Sequence, residues 1–275
     1  MVSVRERADL LGARRVVVKV GSSSISGENA HKIEPIVEAL AAAHARGTEV
    51  VLVSSGAIAT GMPYLDLDER PSDLATQQAA AAVGQNVLIY RYQAALRPFA
   101  IVAGQVLLTA GDLENPTHRS NARRAMERLL GLRILPIVNE NDTVATHEIR
   151  FGDNDRLAAL VAQLIGADAL VLLSDIASLY TRPPSEPGAR PIDRVAPDDD
   201  LSDYEFGSVV VNSVGTGGAA TKASAARLAS AAGIGVLVTS ADLVAEALEG
   251  AAVGTWFAPD PDAPPSLGTT PARTS

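Results

Sequence analysis

The 275-residue chain contains no cysteine, and only 4% of its residues are aromatic. The absence of cysteine excludes a disulfide-built scaffold, a cysteine-ligated zinc site, an iron–sulfur cluster and thiol catalysis. Long apolar runs are also missing, since none approaches the roughly 20 residues that a membrane-spanning helix needs. The scarcity of aromatic residues and the abundance of alanine favour helices packed closely on a sheet over a β-sandwich.

Basic residues are outnumbered by acidic ones, 23 Lys+Arg against 32 Asp+Glu, which gives a formal net charge of −9. An acidic chain of this size is poorly suited to bind nucleic acid over a broad surface. The N-terminal sequence MVSVRERADLLGARR is charged and lacks the apolar core of a signal peptide. We therefore expect a cytoplasmic protein with neither membrane nor nucleic-acid partners.

Short apolar segments rich in β-branched residues alternate with helical segments along the chain. This alternation predicts an α/β fold, with a mostly parallel sheet covered by helices on both faces. The predicted strands are residues 15–20, 49–53, 101–109, 134–139, 169–173 and 235–239. The predicted helices are residues 32–46, 73–96, 119–130, 154–165, 219–232 and 243–248.

Three stretches depart from this alternation. Residues 141–151 alternate polar and apolar side chains like a hairpin, and residues 181–212 are rich in Pro, Asp and Gly, which favours loops with short strands. From residue 259 the composition is that of a disordered segment. We therefore expect one domain over residues 1–258 and a disordered tail over residues 259–275.

The turns that follow the predicted strands are the candidate ligand sites, because ligands of open α/β sheets bind at the C-terminal ends of the strands. The first turn, KVGSSS at residues 19–24, combines a glycine, serine hydroxyls and the charge of Lys19, which suits a phosphate. An ordinary turn with a solvated lysine is the alternative. Lys19 lies among valines, however, and burying an ammonium without a partner is costly.

Two further strands end in small polar residues. The segment SSGA at residues 54–57 could hold a carboxylate with the N–H groups of a helix start, or it could simply cap that helix. The segment LLSD at residues 172–175 ends another strand with a serine and an aspartate. Such residues commonly contact a nucleotide or its ribose.

Carboxylates and amides crowd the segments NENDT at residues 139–143 and GDND at residues 152–155. Asp153 or Asn154 could simply cap the following helix. The group as a whole would repel itself unless it contacts a cation, an ammonium or a lysine. Its acidic members are Glu140, Asp142, Asp153 and Asp155.

The segment GTGGAATK at residues 215–222 places glycines before a predicted helix and a Thr-Lys pair inside its first turns. Exposed N–H groups and the helix dipole would attract phosphate there, and Lys222 could reach the transferred group. The segment matches neither G-x-x-x-x-G-K-[ST] nor G-x-G-x-x-G. A flexible glycine hinge before a surface helix is the alternative. The four histidines are scattered without metal-ligand spacing.

Taken together and in order, these segments resemble the amino acid kinase superfamily and, within it, the glutamate 5-kinases. The matching segments are VVVKVGSSS, VVLVSSGAIATG, QQAAAAVGQ, GQVLLT, NARRAMERLL, PIVNENDTVA, FGDNDRLAALVA, LLSDIASLY and VGTGGAATK, and they cover about residues 14–258. The combination NENDTVA with GDND is the most specific. The resemblance implies a three-layer αβα sandwich around a mostly parallel sheet of about eight strands.

The resemblance also implies roles for individual residues. Lys19 and Lys222 would contact the ATP phosphates and stabilise the transferring phosphoryl group, and Asp155 would orient these two catalytic lysines. L-glutamate would be bound by Ser55, Asp142 and Asn154. The nucleotide site would comprise Lys19, Ser174, Asp175, Thr216, Gly217, Gly218, Ala219, Ala220, Thr221 and Lys222.

The implied reaction converts ATP and L-glutamate to ADP and L-glutamyl 5-phosphate, the first step of proline biosynthesis. Mg²⁺ would be carried mainly by the phosphates, with no protein metal ligand. The resemblance further implies a homo-oligomer (a dimer or a tetramer), feedback inhibition by proline through the loop around residues 139–151, and a glutamyl phosphate reductase that consumes the labile product.

Two departures from the family pattern and two alternatives remain. Ala219 stands where the family commonly has methionine, and the chain resembles the catalytic domain alone, without the C-terminal PUA domain of many bacterial members.

N-acetylglutamate, aspartate, carbamate and UMP are the competing acceptors, and a free α-ammonium beside Asp142 would distinguish glutamate from N-acetylglutamate. A catalytically silent sensing module is the second alternative, which the presence of Lys19, Lys222 and Asp155 disfavours.

Overall fold

The structure is a computed structural model that describes residues 4–145, 154–202, 204, 206 and 218–263. Within these residues one sheet contains the strands β1 (Arg15–Val20), β2 (Glu49–Ser54), β3 (Ala103–Leu108), β4 (Leu135–Glu140), β5 (Ala169–Ser174), β6 (Arg194–Val195), β7 (Gly235–Ser240) and β8 (Thr255–Phe257). Their order is β3-β4-β2-β1-β5-β7-β8-β6. The strands from β3 to β7 in this order run parallel, and β8 is antiparallel to β7.

Helices cover both faces of the sheet. They are α1 (Ile33–Ala45), α2 (Ala57–Gly61), α3 (Leu74–Leu96), α4 (Ala110–Glu114), α5 (Pro116–Gly131), α6 (Asn154–Ile165), α7 (Ala219–Ser230) and α8 (Val244–Leu248). Helices α1, α3 and α8 contribute to the core on one face, whereas α5, α6 and α7 contribute to the core on the other. The α/β class and the mostly parallel eight-stranded sheet between helical layers are confirmed.

The predicted strands and helices agree with the structure to within a few residues at each end. Strand β1 and helix α6 have the predicted bounds, and β2, β5 and β7 each continue one residue further, to a serine. Helix α4 and strand β8 were not predicted, because five and three residues are too short to show a periodicity. Most of the predicted hairpin and of the predicted tail lies outside the described residues.

The alternation of side chains along β1 decides where Lys19 lies. Val16, Val18 and Val20 belong to the core under α1 and α3, whereas Val17 belongs to the core under α6 and α7. Successive side chains of a strand point to opposite faces. Lys19 therefore shares the face of Val17, on which α6 and α7 pack.

An arginine fixes the opposite end of the same strand. Arg15, buried at the start of β1, pairs through Nε with Glu49 at 2.7 Å and through Nη1 with Glu127 at 2.8 Å. The carboxylate of Asp168 accepts the backbone N–H groups of Arg14 and Arg15, each at 2.8 Å. These bonds join β1 to β2, α5 and the segment before β5, and so hold the register that sets the position of Lys19.

Helices α2 and α3 pack with their backbones almost in contact. A Cβ built on Gly84 would lie 1.8 Å from the carbonyl oxygen of Ala57, and one on Gly61 would lie 1.9 Å from that of Ala80. Gly56, which precedes α2, has a φ of 97°, a left-handed conformation that favours glycine. Glycine thus brings α2 against α3 and turns the chain sharply after β2. Across the described part of the chain, no helix is long and apolar enough to cross a membrane.

Candidate active site

Polar residues gather where the parallel strands end. Lys19 is the penultimate residue of β1, and Ser54, Ser174 and Ser240 are the last residues of β2, β5 and β7. Strand β1 lies at the point where the connections diverge, because β2 is its neighbour on one side and β5 on the other. Such a switch point opens a crevice beyond the carboxyl ends of the strands, which is the usual ligand site of open α/β sheets.

Two lysines from distant parts of the chain meet on one carboxylate. The Nζ atom of Lys19 pairs with Oδ1 of Asp155, and that of Lys222 lies 3.3 Å from Oδ2 of the same side chain. Lys19 is 3% exposed, Lys222 is 6% exposed and Asp155 is fully buried. Two of the three lysines in the chain therefore belong to this cluster. The structure thus brings the three predicted catalytic residues together.

The electrostatics of this cluster favour an anion. Burial opposes ionisation of Asp155, but the two ammonium groups outweigh it and hold the pKa of the carboxyl below its ordinary value. Because the folded-state pKa is lowered, the stabilisation from this carboxylate is present at neutral pH and is lost as the pH falls through the folded-state pKa. At the strand ends, two ammonium groups therefore share one carboxylate, a charge pattern that suits an anionic ligand.

The first turn of α7 completes this side of the cluster. The Thr221 hydroxyl lies 3.1 Å from Oδ2 of Asp155 and accepts the backbone N–H of Gly218 at 3.0 Å. Ala219 and Ala220 begin the helix, and Lys222 follows within its first turn. The remaining predicted nucleotide-loop residues, Thr216 and Gly217, lie outside the described residues.

The other predicted nucleotide residues follow β5. Ser174 is buried at the end of β5, in register with Ser240 at the end of β7. Asp175 is exposed, and its Oδ1 accepts the hydroxyl of Ser23 at 3.2 Å. This bond joins the turn after β5 to the serine-rich turn after β1, so both turns border the lysine cluster.

Two of the three predicted acceptor-side residues, Ser55 and Asn154, lie beside the same cluster. Ser55 is half-buried, and its N–H donates to the carbonyl of Val20 at 3.1 Å. Asn154 begins α6, directly before Asp155, and donates through Nδ2 to the Ser54 carbonyl at 2.8 Å. Asp142 is half-buried in the turn after β4. Asp153, the remaining acidic residue of the predicted group, lies outside the described residues.

The sequence analysis assigned no role to four polar residues beneath this site, although two of them, Ser54 and Asn139, lie in the candidate segments SSGA and NENDT. Asn139 is buried at the end of β4 and bonds both to Gln85 of α3 and to Asn154. The hydroxyl of Tyr92 lies 2.9 Å from that of Ser54, and burial raises the pKa of this fully buried tyrosine. Ser54 and Asn139 could have been found from their places at strand ends, whereas nothing in the local pattern marks Gln85 or Tyr92.

Comparison with known proteins identifies the family. The model of the amino acid kinase family matches residues 14–240, which is most of the chain. This chain belongs to the amino acid kinase family. The match begins just before β1 and ends with β7. It therefore includes the lysine cluster and the polar residues at the ends of β2, β4 and β5.

Two relatives named glutamate 5-kinase are similar to this chain over nearly their whole length. The chain is 73% identical over 253 residues to a protein named glutamate 5-kinase from Clavibacter sepedonicus, covering 92% of this chain and 97% of the relative. It is 69% identical over 258 residues to the glutamate 5-kinase of Leifsonia xyli subsp. xyli, covering 94% of this chain and 96% of that relative.

A solved structure shares the fold at low sequence identity. The carbamate kinase from Giardia lamblia bound to AMP-PNP has a TM-score of 0.67 and 16% identity, covering 91% of this chain and 100% of its own. At this identity the similarity shows the fold alone. It agrees with the eight-stranded sheet between two helical layers.

Proposed function

We propose that this protein transfers the γ-phosphoryl group of ATP to the side-chain carboxylate of L-glutamate, giving ADP and L-glutamyl 5-phosphate, the first step of proline biosynthesis. Identities of 73% and 69% to proteins named glutamate 5-kinase support this choice within the family. The observation that carries the proposal is the convergence of Lys19 and Lys222 on the two oxygens of Asp155.

The chemistry needs positive charge and alignment more than a base. The side-chain carboxylate of glutamate is already an ionised nucleophile, so an oxygen–phosphorus bond forms while the bond from phosphorus to ADP breaks, and no proton is removed. Charge spreads over the phosphoryl oxygens in the transition state. Lys19 and Lys222 would stabilise that charge, and Asp155 would hold both ammonium groups in place before the substrate arrives.

The residues present fit a metal that arrives with the nucleotide. Asp155 already pairs with two ammonium groups, so its oxygens are poorly placed to bind Mg²⁺ as well. Mg²⁺ keeps several waters and takes its remaining ligands from substrate phosphates in many kinases. When bound with ATP, it neutralises charge on the β- and γ-phosphates. Ser174, Asp175 and the segment 216–222 would line the nucleotide site.

The acceptor would lie between the turn after β4 and the start of α6. Asp142 would pair with the α-ammonium, and Ser55 and Asn154 would also bond to polar groups of the amino acid. Because Asn154 and Asp155 are consecutive, the acceptor and the phosphate-binding lysines would share the start of one helix. This adjacency would bring a bound amino acid next to the transferred phosphoryl group.

The product of the proposed reaction is an unstable acyl phosphate. An acyl phosphate hydrolyses readily in water, so we propose that a glutamyl phosphate reductase consumes it in the cytoplasm.

A homo-oligomer is proposed as well. Phe99, Val102 and Leu132, which lie in the segments leading into the edge strand β3 and its neighbour β4, are large apolar side chains that remain exposed in the described structure.

Trapping of the acyl phosphate tests the proposal directly. With ATP, Mg²⁺, L-glutamate and hydroxylamine, the protein should form γ-glutamyl hydroxamate, together with a stoichiometric amount of ADP. N-acetylglutamate, aspartate, carbamate and UMP serve as alternative acceptors in parallel reactions. Turnover only with one of these would move the assignment within the family, and binding of ATP and glutamate without turnover would instead indicate a sensing module.

Replacement of Asp142 tests the acceptor side. Asp142→Asn removes the negative charge proposed to face the α-ammonium, so we expect the KM for L-glutamate to rise about tenfold or more. The KM for ATP should change by less than about twofold, because the lysine cluster is retained. Asp198→Asn, at an exposed position, is the control. An unchanged KM for glutamate in steady-state assays would remove Asp142 from the acceptor site.

A further inference from the structure

Three side-chain amides form a hydrogen-bonded chain from α3 to the start of α6. Nδ2 of Asn139 donates to Oε1 of Gln85 at 2.6 Å. Nδ2 of Asn154 donates to Oδ1 of Asn139 at 2.6 Å and to the Ser54 carbonyl at 2.8 Å. Asn139 is 2% exposed and Asn154 is 8% exposed. A side chain on the helix beneath the sheet is thus linked to the residue proposed to meet the amino acid.

The direction of this chain is fixed by a backbone group. The N–H of Glu140 donates to Oδ1 of Asn139 at 2.8 Å, and a backbone N–H can only donate. Oδ1 of Asn139 must therefore face Glu140 and Asn154, which leaves its Nδ2 facing Gln85. Among the described residues, the acceptor that satisfies this buried amide group is Oε1 of Gln85.

Counting hydrogen bonds in the same way shows which atom of Asn154 is left to contact a ligand. Its Nδ2 group has two hydrogens, and both are used, one by the Ser54 carbonyl and one by Asn139. The remaining atom, Oδ1, is an acceptor. An acceptor at this position fits a donor of the substrate, which in an amino acid is the α-ammonium, and it does not fit a carboxylate.

We propose that Gln85 is a positioning residue: acting through Asn139, it holds the Asn154 amide with Oδ1 presented to the α-ammonium of the acceptor. The inference rests on the proposed function, because it takes the acceptor to be an amino acid bound beside Asn154. Gln85 follows Gly84, the residue at which α3 is in backbone contact with α2. Its side chain is therefore carried by a rigid part of α3.

Gln85→Met should raise the KM for L-glutamate about tenfold, because the variant keeps the size of the side chain but removes the acceptor from Asn139. The KM for ATP should stay within about twofold, since Gln85 bonds to Asn139, whereas Lys19 and Lys222 are held by their own ion pairs with Asp155. Gln85→Glu restores an acceptor and should return the KM for glutamate to within about threefold of the original value. Asn86→Leu, on an exposed position of α3, is the matched control.

These outcomes separate positioning from a purely structural role. Equal rises in both KM values, a Gln85→Met variant that behaves like Asn86→Leu, or failure of Gln85→Glu to restore glutamate affinity would each overturn the inference. A fall in Tm of the Gln85→Met variant with both KM values raised would also contradict it. If the unaltered protein forms no glutamyl hydroxamate, the proposed function fails; if it does and Gln85→Met is silent, only the role of Gln85 fails.

Discussion

Lys222→Met and Lys19→Met are each expected to lower kcat for glutamyl phosphate formation by about 10²–10³-fold, the usual scale for removing one group that stabilises a transition state. Each substitution removes an ammonium group that contacts the carboxylate of Asp155 in a buried site. The remaining lysine would then pair with Asp155 alone, and one of the two ammonium groups that face the phosphoryl group would be lost. The KM for L-glutamate should change much less than kcat.

The third lysine of the chain provides the control. Lys32 pairs with Asp242 at 2.9 Å and is partly exposed, so Lys32→Met removes an equivalent charge outside the cluster. We expect its kcat to stay within about twofold of the original value. Steady-state kinetics with both substrates varied would measure these changes. A Lys222→Met variant with unchanged kcat would contradict the proposed mechanism, whatever its effect on affinity.

Gly84→Ala is expected to lower the free energy of unfolding by about 3 kcal/mol or more, at the upper end of the cost of overpacking. The added Cβ would lie 1.8 Å from the carbonyl oxygen of Ala57 and 2.5 Å from the backbone nitrogen of Gly61. Both are backbone atoms, so neither can move away by rotation of a side chain. Helix α2 would have to shift, and with it the turn that carries Ser55. The expected fall in Tm is roughly 6–10 °C.

Gly131→Ala is the matched control for the stability measurement. Gly131 is the last residue of α5, and a Cβ there would meet no heavy atom within 4 Å. Because alanine is favoured over glycine in helices by about 1 kcal/mol, this variant should be as stable as the original or slightly more stable. Thermal unfolding followed by circular dichroism measures both variants. Equal Tm values for Gly84→Ala and Gly131→Ala would show that α2 and α3 are not held at backbone contact.

The long elements were predictable because their patterns are long. Six strands with continuous apolar residues and the helices between them could be recognised from periodicity, and β1 and α6 have the predicted bounds. Strand β8, which is antiparallel to β7, could not be recognised, because three residues are too few to show a periodicity. The count of about eight strands came from the resemblance to a family, not from periodicity.

For the candidate site too, part could be predicted from the sequence and part required the structure. The sequence by itself predicted candidate residues for the chemistry, because a lysine among valines is costly to bury without a partner and the ends of parallel strands are the usual ligand sites of such sheets. The resemblance to a family implied that Asp155 orients Lys19 and Lys222, but only the tertiary structure decided how both ammonium groups reach its carboxylate, and that Gln85 bonds to Asn139. These contacts join residues far apart in the chain, and their geometry depends on strand order, side-chain alternation and helix packing together.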